Sequence, residues 1–398
     1  MKTVAIISEY NPFHSGHKYQ IDKIREAFGS DTVIVAIMSG NFTQRGEFAF
    51  APKFARAKAA VLSGVNLVLE LPFPFSSSSA EFFAKSGVKI AESIGADYLS
   101  FGSESGDINE LIATADVMSS LAYEEAFKEL GKNKTLGYPE RCEMAYKKAS
   151  GGKLSFSPNN ILAIEYIKAI KHLCAEIKPH TIKRVGADYD SDSIESSSNQ
   201  SAMALRKSFS SGDFSVIEYL PKETKDLFLA LGQEGELPTD VSKISSAFIS
   251  YLRLNPPPQN VEIHDAGDGL YNRLYNESFK ANDISTLLLR TETKNYTRAR
   301  IRRALLNVFF GVTSSEIKTL PMYTQILAMD TKGMQILKKT RKSREIRILT
   351  KPSDFKDFNE AELRQKNLSD KADSIFELTK PIPKDGASSL TITPYVKK

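Results

Sequence analysis

Two histidines three positions apart, with a glycine between them, close the run Ser8-Glu9-Tyr10-Asn11-Pro12-Phe13-His14-Ser15-Gly16-His17. Imidazole N–H groups at that spacing suit phosphate chemistry. They donate to phosphate oxygens and stabilise the charge that builds up as an α-phosphate is attacked and pyrophosphate leaves. A glycine at position 16 lets a nucleotide approach the backbone. Taken alone, a short H-x-G-H string is equally a surface loop that happens to carry two histidines. A second segment, Met38-Ser39-Gly40-Asn41-Phe42-Thr43-Gln44-Arg45-Gly46-Glu47, joins turn formers to a cation at Arg45. It reads either as part of a substrate cleft or as a tight turn with a solvated arginine. Gly102 and Asn160 admit the same pair of readings: backbone approach to a nucleotide, or an ordinary strand end and helix cap.

The surrounding pattern gives these residues a place. Short β-rich runs at Thr3–Ile7, Thr32–Met38, Leu67–Leu71 and Tyr98–Phe101 recur about every 30 residues, the spacing of parallel βαβ units. Helical periodicity fills Lys18–Phe28, Lys53–Leu62 and Ala80–Ser93 between them. The histidine loop thus leaves the first strand and opens the first helix. At that place free N–H groups and the helix dipole favour phosphate, and open α/β sheets bind ligands there. A helix at Asn160–Ile170, a strand at Thr181–Val185 and a helix at Ala202–Phe209 continue the pattern, with a Ser- and Asp-rich loop at Asp188–Gln200. Proline-rich punctuation at Leu237-Pro238 and Asn255-Pro256-Pro257-Pro258 accompanies a change to helical sequence beyond about residue 215. A small mixed element is expected over Tyr323–Lys351, with strands at Gln325–Met329 and Ile346–Thr350, before a loosely ordered tail containing Pro381, Pro383 and Ser388-Ser389. The expectation is a doubly wound parallel α/β sheet domain over 1–215, a mainly helical, basic region over 216–320, and a small mixed α/β element with its tail over 321–398.

Charge is distributed unevenly. Residues 281–350 hold 14 Lys and Arg against 5 Asp and Glu, so the rest of a chain whose net charge is +5 is slightly acidic. The helix expected over Thr297–Val308 sets Arg298, Arg300, Arg302 and Arg303 toward solvent, with Ile301, Leu305 and Phe309 behind them. By itself this is an ordinary solvated helix. With Lys338, Lys339, Arg341 and Lys342 further along, and Tyr296 as a stacking group, it reads as one phosphate-binding face for RNA. Since the phosphate motif belongs to the first domain and the arginines lie past residue 290, the two tasks are expected to be separable.

Composition removes other classes. Hydrophobic residues make up 41% and charged residues 25%, an ordinary globular balance. The longest apolar runs, such as Val33–Met38 and Val65–Leu71, are far below the roughly 20 residues that span a bilayer. The N-terminal apolar stretch is interrupted at Glu9, too early for a signal peptide. Cys142 and Cys174 have neither disulfide-framework nor zinc spacing, and His172, His180 and His264 show no ligand spacing, so no metal site is expected and a reducing cytoplasm fits.

The string Glu9 to His17, the string Met38 to Glu47 with Arg56 and Lys58 after it, Phe101-Gly102, Ser157-Pro158-Asn159-Asn160 and Thr297-Arg298-Ala299-Arg300 together resemble the bacterial tRNA(Met) cytidine acetate ligases, a family within the H-x-G-H nucleotidyltransferase superfamily. The resemblance covers most of the chain. It implies that ATP and acetate form acetyl-adenylate and pyrophosphate, and that the acetyl group passes to N4 of the wobble cytidine (position 34) of elongator tRNA(Met). It implies His14 and His17 as catalytic residues. ATP would be bound by Ile7, Ser8, Glu9, Tyr10, Asn11, Pro12, Phe13, His14, Ser15, Gly16, His17, Gln20, Gly102, Asn160, Arg184, Val185, Ser201 and Arg206. Ser39, Gly40, Asn41 and Arg45 would form the acetate region, and Arg298, Arg300, Arg302, Arg303, Lys338, Lys339, Arg341 and Lys342 the tRNA surface. Ser201-Ala202-Met203-Ala204-Leu205-Arg206 is the counterpart of a second phosphate-binding turn, with Met203 where a hydroxyl residue is expected. Mg2+ is expected with ATP. Two other readings fit the motif: adenylylation of a small phosphorylated metabolite, which leaves the C-terminal half without a task, and an RNA-binding protein that has lost catalysis.

Overall fold

Nearly continuous apolar runs in the N-terminal third form strands buried on both faces, as parallel sheets require. The strands are β1 (Thr3–Ser8), β2 (Val33–Ser39), β3 (Leu67–Leu71) and β4 (Tyr98–Ser103), and the helices Ser15–Phe28, Lys53–Leu62 and Ala80–Ser93 connect them. Each helix returns the chain to the same sheet edge, so the strands pair in parallel: Thr3 lies opposite Val33, Val35 opposite Leu67, and Val4 opposite Tyr98. β5 (Lys178–Lys183) adds in parallel to β4. The computed structural model describes residues 1–131, 136–152, 157–184, 202–342, 344–386 and 392–397. The expected Asp188–Gln200 loop and Ser388-Ser389 lie outside them.

Alternate side chains supply two cores. Ala5, Val33, Val35, Ile37, Leu67 and Leu69 face one apolar layer, and Val4, Ile6, Ile34, Ala36, Met38 and Val68 face the other. The first layer continues through helices Ala80–Ser93, Pro158–His172, Ser245–Leu254, Leu270–Ser278, Arg298–Phe310 and Glu360–Glu377.

The segment expected as a small mixed element extends this same sheet. β6 (Tyr323–Asp330) pairs antiparallel with β3, Leu67 lying opposite Met329, and β7 (Arg347–Leu349) and β8 (Tyr395–Lys397) pair with β6. The strand order is β5-β4-β1-β2-β3-β6-β7, with β8 on β6. Five strands are parallel as expected, and the antiparallel β6 covers what would otherwise be an open edge at β3. The order reverses between β1 and β4, so the carboxyl ends of those two strands flank the crevice.

A buried cation ties distant segments together beneath that crevice. Lys53 is 3% exposed and contacts Glu70 at 2.7 and 2.8 Å and Asp373, on the helix Glu360–Glu377, at 2.7 Å. Asn41 completes the cluster, donating to Asp373 at 2.9 Å and accepting the Lys53 backbone N–H at 2.9 Å. Removing the cation leaves two carboxylates buried without their partner. Lys53→Met is therefore expected to lower stability by about 3–5 kcal/mol, read as a fall in the urea midpoint. An unchanged midpoint would show that the cluster relaxes without cost.

Candidate active site

His14 is the N-cap of the helix Ser15–Phe28, with φ −136° and ψ 178°. Its Nδ1 accepts the Gly16 N–H at 3.0 Å, and Nδ1 of His17 accepts the His14 N–H at 3.2 Å, a reciprocal capping box made of two imidazoles. The cap explains why the helix begins at Ser15, earlier than periodicity suggests. It also fixes the tautomer. With Nδ1 of each ring accepting, the proton of a neutral ring sits on Nε2, the end left for a ligand. The rings are tilted together with centroids 3.9 Å apart, and Tyr10, whose φ is 45°, sets its ring edge-on to His17 at 4.9 Å. Burial, followed by the charges of Arg184 and Arg206, lowers His14 to about 3. Burial, His14 and Arg184 lower His17 well below the usual imidazole value. Both are neutral hydrogen-bond donors at neutral pH. Gly16 also has a steric task. A Cβ there would lie 2.9 Å from Cε1 of His14, so glycine is what leaves room for the capping ring.

These rings line a cleft of about 550 Å3 at the carboxyl ends of β1 and β4. Of the residues proposed for ATP, Ile7, Ser8, Glu9, Tyr10, Asn11, Gly16, Gln20, Gly102, Arg184 and Arg206 also line it. Phe13 is buried behind the loop, Pro12 follows a cis peptide bond, and Ser15 is the first helical residue. Asn160 acts from behind the wall, its side-chain oxygen accepting the Glu104 N–H at 3.1 Å. Val185 and Ser201 are outside the described residues. Arg206 donates to the Asn11 carbonyl at 2.9 Å and lies 3.6 Å from Glu47. Met203 lines the cleft as well.

The expected acetate region is divided. Arg45 lines the cleft, whereas Ser39, Gly40 and Asn41 are buried beneath it and do not. Their carbonyl and amide groups are committed elsewhere. Arg56, fully buried, donates to Glu9 O at 2.6 Å, Ser39 O at 3.2 Å, Ala51 O at 2.9 Å and Gly40 O. Glu9 in turn accepts the Gln44 N–H at 2.9 Å. Gln44, Thr297 and Ala299, from the strings that carry the resemblance, line the cleft with Lys183, and Phe83 and Tyr166 line it without having been singled out. In the sequence, Phe83 and Tyr166 are ordinary apolar-face residues of helices, and nothing in their spacing separates a cleft wall from a core.

The basic helix is not a remote surface. Arg303, expected to face solvent, is 9% exposed, lines the cleft and pairs with Asp265 at 2.6 Å. Arg302 pairs with Glu47, Arg300 with Asp268 at 2.9 Å, and Arg298 is exposed. The turn before Glu47 sits against this helix so closely that a Cβ on Gly46 would come 2.6 Å from the Arg303 nitrogen. The helix therefore closes one side of the cleft, so the phosphate motif and these arginines, far apart in sequence, adjoin in space. Lys338, Lys339, Arg341 and Lys342 are exposed but elsewhere. β6 runs antiparallel to β3, so the helix Thr331–Lys339 starts beside Asn66 and its end reaches Gly95, at the amino edge of the sheet. The single basic face expected from the sequence is two patches at opposite sheet edges.

A strand–H-x-G-H–helix unit over a cationic cleft at the switch point defines an H-x-G-H nucleotidyltransferase, and the HIGH Nucleotidyl Transferase family model matches residues 1–388. The chain is 35% identical over 366 residues to the tRNA(Met) cytidine acetate ligase of Thermoanaerobacter sp. (strain X514), covering 90% of each chain. It is 36% identical to that of Acetivibrio thermocellus, covering 89% of each. A crystal structure of Thermotoga maritima TmcAL bound with alpha-thio ATP superposes with a TM-score of 0.90 at 29% identity, covering 100% of this chain and 99% of that one. The chain belongs to the tRNA(Met) cytidine acetate ligase family.

Two outcomes follow from the histidine pair. Gly16→Ala is expected to displace the His14 ring and cut turnover about a hundredfold, the scale of a 1 Å misplacement, with the circular dichroism spectrum retained; near-normal turnover would show that the ring adapts. His14 is neutral in the fold down to about 3, but in the unfolded chain it takes a proton near 6.5. The unfolded state then binds more protons between those values, so the stability this pair contributes is complete above about 6.5 and declines as pH falls toward 3. His14→Gln is expected to flatten that limb of the Tm–pH curve.

Proposed function

We propose that this protein is a tRNA-modifying ligase that joins acetate to the wobble cytidine (position 34) of elongator tRNA(Met) in two steps. An acetate oxygen attacks the α-phosphorus of ATP, the bond to the β-phosphate breaks, and acetyl-adenylate and pyrophosphate form. The N4 amine of the cytidine then takes the acetyl group and AMP leaves, giving N4-acetylcytidine. The observation that carries this reading is the pair of neutral, half-buried imidazoles whose Nδ1 atoms are held by backbone N–H groups, within a wall that also presents Arg45, Arg184 and Arg206. Acetate is already an anion at neutral pH, so the first step asks for charge neutralisation and alignment instead of a base. Neutral Nε2–H donors supply this without the desolvation cost of buried imidazolium ions.

ATP is the nucleotide. Arg184 and Arg206 suit its phosphates, and the Arg45 end of the cleft suits acetate. Among the described residues no three His, Cys, Asp or Glu side chains are grouped to hold a metal ion, and Glu9 is the one carboxylate among the described cleft-lining residues. Mg2+ in this reading arrives with the triphosphate, coordinated by phosphate oxygens and water. No helix among the described residues is long and apolar enough to cross a membrane, and a cytoplasmic setting suits the tRNA substrate.

Protein incubated with ATP, labelled acetate and tRNA is expected to place the label on cytidine 34 of elongator tRNA(Met). Label that stays at acetyl-adenylate, or a requirement for a phosphorylated metabolite in place of acetate, would overturn the proposal. His14→Ala and His17→Ala are each expected to slow acetate-dependent ATP–pyrophosphate exchange by about a hundredfold, the effect of losing one donor to developing charge. The arginines are expected to divide. Arg298→Ala lowers the salt-dependence slope of tRNA binding by about one unit, as one lost phosphate contact would. Arg303→Ala slows the exchange reaction itself, without tRNA present. Normal exchange by a folded Arg303→Ala protein would return that helix to a tRNA role alone.

A further inference from the structure

Acetyl transfer from the adenylate leaves a proton to be placed. The exocyclic amine of cytidine is conjugated with its ring and weakly basic, so its attack on the acetyl carbon is productive only as N4 gives up a proton. The histidines are poorly placed to take it. Nδ1 of each is occupied by a backbone N–H, and Nε2 carries the ring proton that serves the phosphate. Of the other described residues that line the cleft and titrate, all but one are arginines, a lysine and tyrosines, and burial raises Tyr10 and Tyr166 further above the ordinary phenol value. The remaining one is the Glu9 carboxylate.

We infer that Glu9 is the general base of the acetyl-transfer step, an inference that rests on the functional reading above. One carboxylate oxygen is fixed by the Gln44 N–H at 2.9 Å, and the Glu9 backbone carbonyl is held by Arg56 at 2.6 Å, so the side chain enters the cleft from an anchored position. In the step, the N4 lone pair forms the C–N bond to the acetyl carbon. The bond from that carbon to the phosphate oxygen breaks, AMP departs with its electron pair, and the N4 proton passes to a Glu9 oxygen and then to water. Burial raises the Glu9 carboxyl above the usual range and Glu47 adds to this, while the Gln44 N–H, Arg206 and Arg45 oppose it. Arg56 and Tyr166 are also close enough for their charge states to couple to it. A raised carboxylate is a stronger base than an exposed one and still loses its proton to bulk solvent after turnover.

The test supplies acetyl-adenylate and elongator tRNA(Met) directly, so that transfer is followed without adenylation, in single turnover across pH 4.5 to 8. The wild-type rate is expected to rise with pH through the Glu9 titration and then level off. Glu9→Gln keeps an oxygen for the Gln44 N–H, and is expected to transfer about a hundredfold more slowly, with the rise abolished. Glu9→Asp is expected to keep the pH-dependent rise at a reduced rate. Transfer by a folded Glu9→Gln protein within about threefold of wild type, with the same pH profile, would overturn the inference and assign the proton to the departing phosphate. Wild-type protein inert toward acetyl-adenylate and tRNA would overturn the functional reading, and the inference with it, a result distinct from a defect confined to the variant.

Discussion

A guanidinium without access to water holds the cleft in shape. Arg56 donates to the carbonyls of Glu9, Ser39, Gly40 and Ala51, and so pins the loop after β1 to the loop after β2. Burial lowers it to about 10, and Glu9, Glu70 and Asp373 oppose that shift, so it is still charged at neutral pH. A buried cation must keep its partners, because losing them costs several kcal/mol in uncompensated desolvation. The carbonyls are thereby fixed, and with them the path of the chain into His14. Gly40 has no room for a side chain, since its missing Cβ would meet the Glu70 carboxylate. The Lys53, Glu70 and Asp373 cluster below extends the same logic to the last long helix, which contributes Asp373 to the cluster while its Phe376 packs against Phe42 and Phe48.

Above this base the electrostatics favour phosphate without crowding it. Burial, with Arg184 beside both rings, keeps both imidazoles neutral, and Arg206 adds to this at His14. In the proposed reaction two kinds of donor would meet the ligand: permanent cations for its ground-state charge and neutral N–H groups for charge that develops in the transition state. Glu47 connects the two sides, pairing with Arg206 in the cleft and with Arg302 on the helix that closes it. The cleft and the wall beside it share one carboxylate, so substitutions on the basic helix will be felt in the cleft.

The sequence by itself determined the sheet and the histidine loop. Apolar runs at Val33–Ser39 and Leu67–Leu71 admit little but buried parallel strands, and a strand followed by Asn-Pro-Phe-His-Ser-Gly-His opens a helix because local hydrogen bonding, spanning three residues, decides it. What lies near in sequence is legible there because the forces that set it act over a few residues. The tertiary structure alone decided the rest. It put β6 on the free edge of β3, sent Lys338 to Lys342 to the amino edge, turned Arg303 into the cleft, and committed Ser39, Gly40 and Asn41 to Arg56 and Asp373. An arginine pattern on a helix shows only that one face is polar. Whether that face meets water, a carboxylate such as Asp265 or the wall of a cleft depends on which distant segment packs over it, and contacts across tens to hundreds of residues leave no periodicity in the chain.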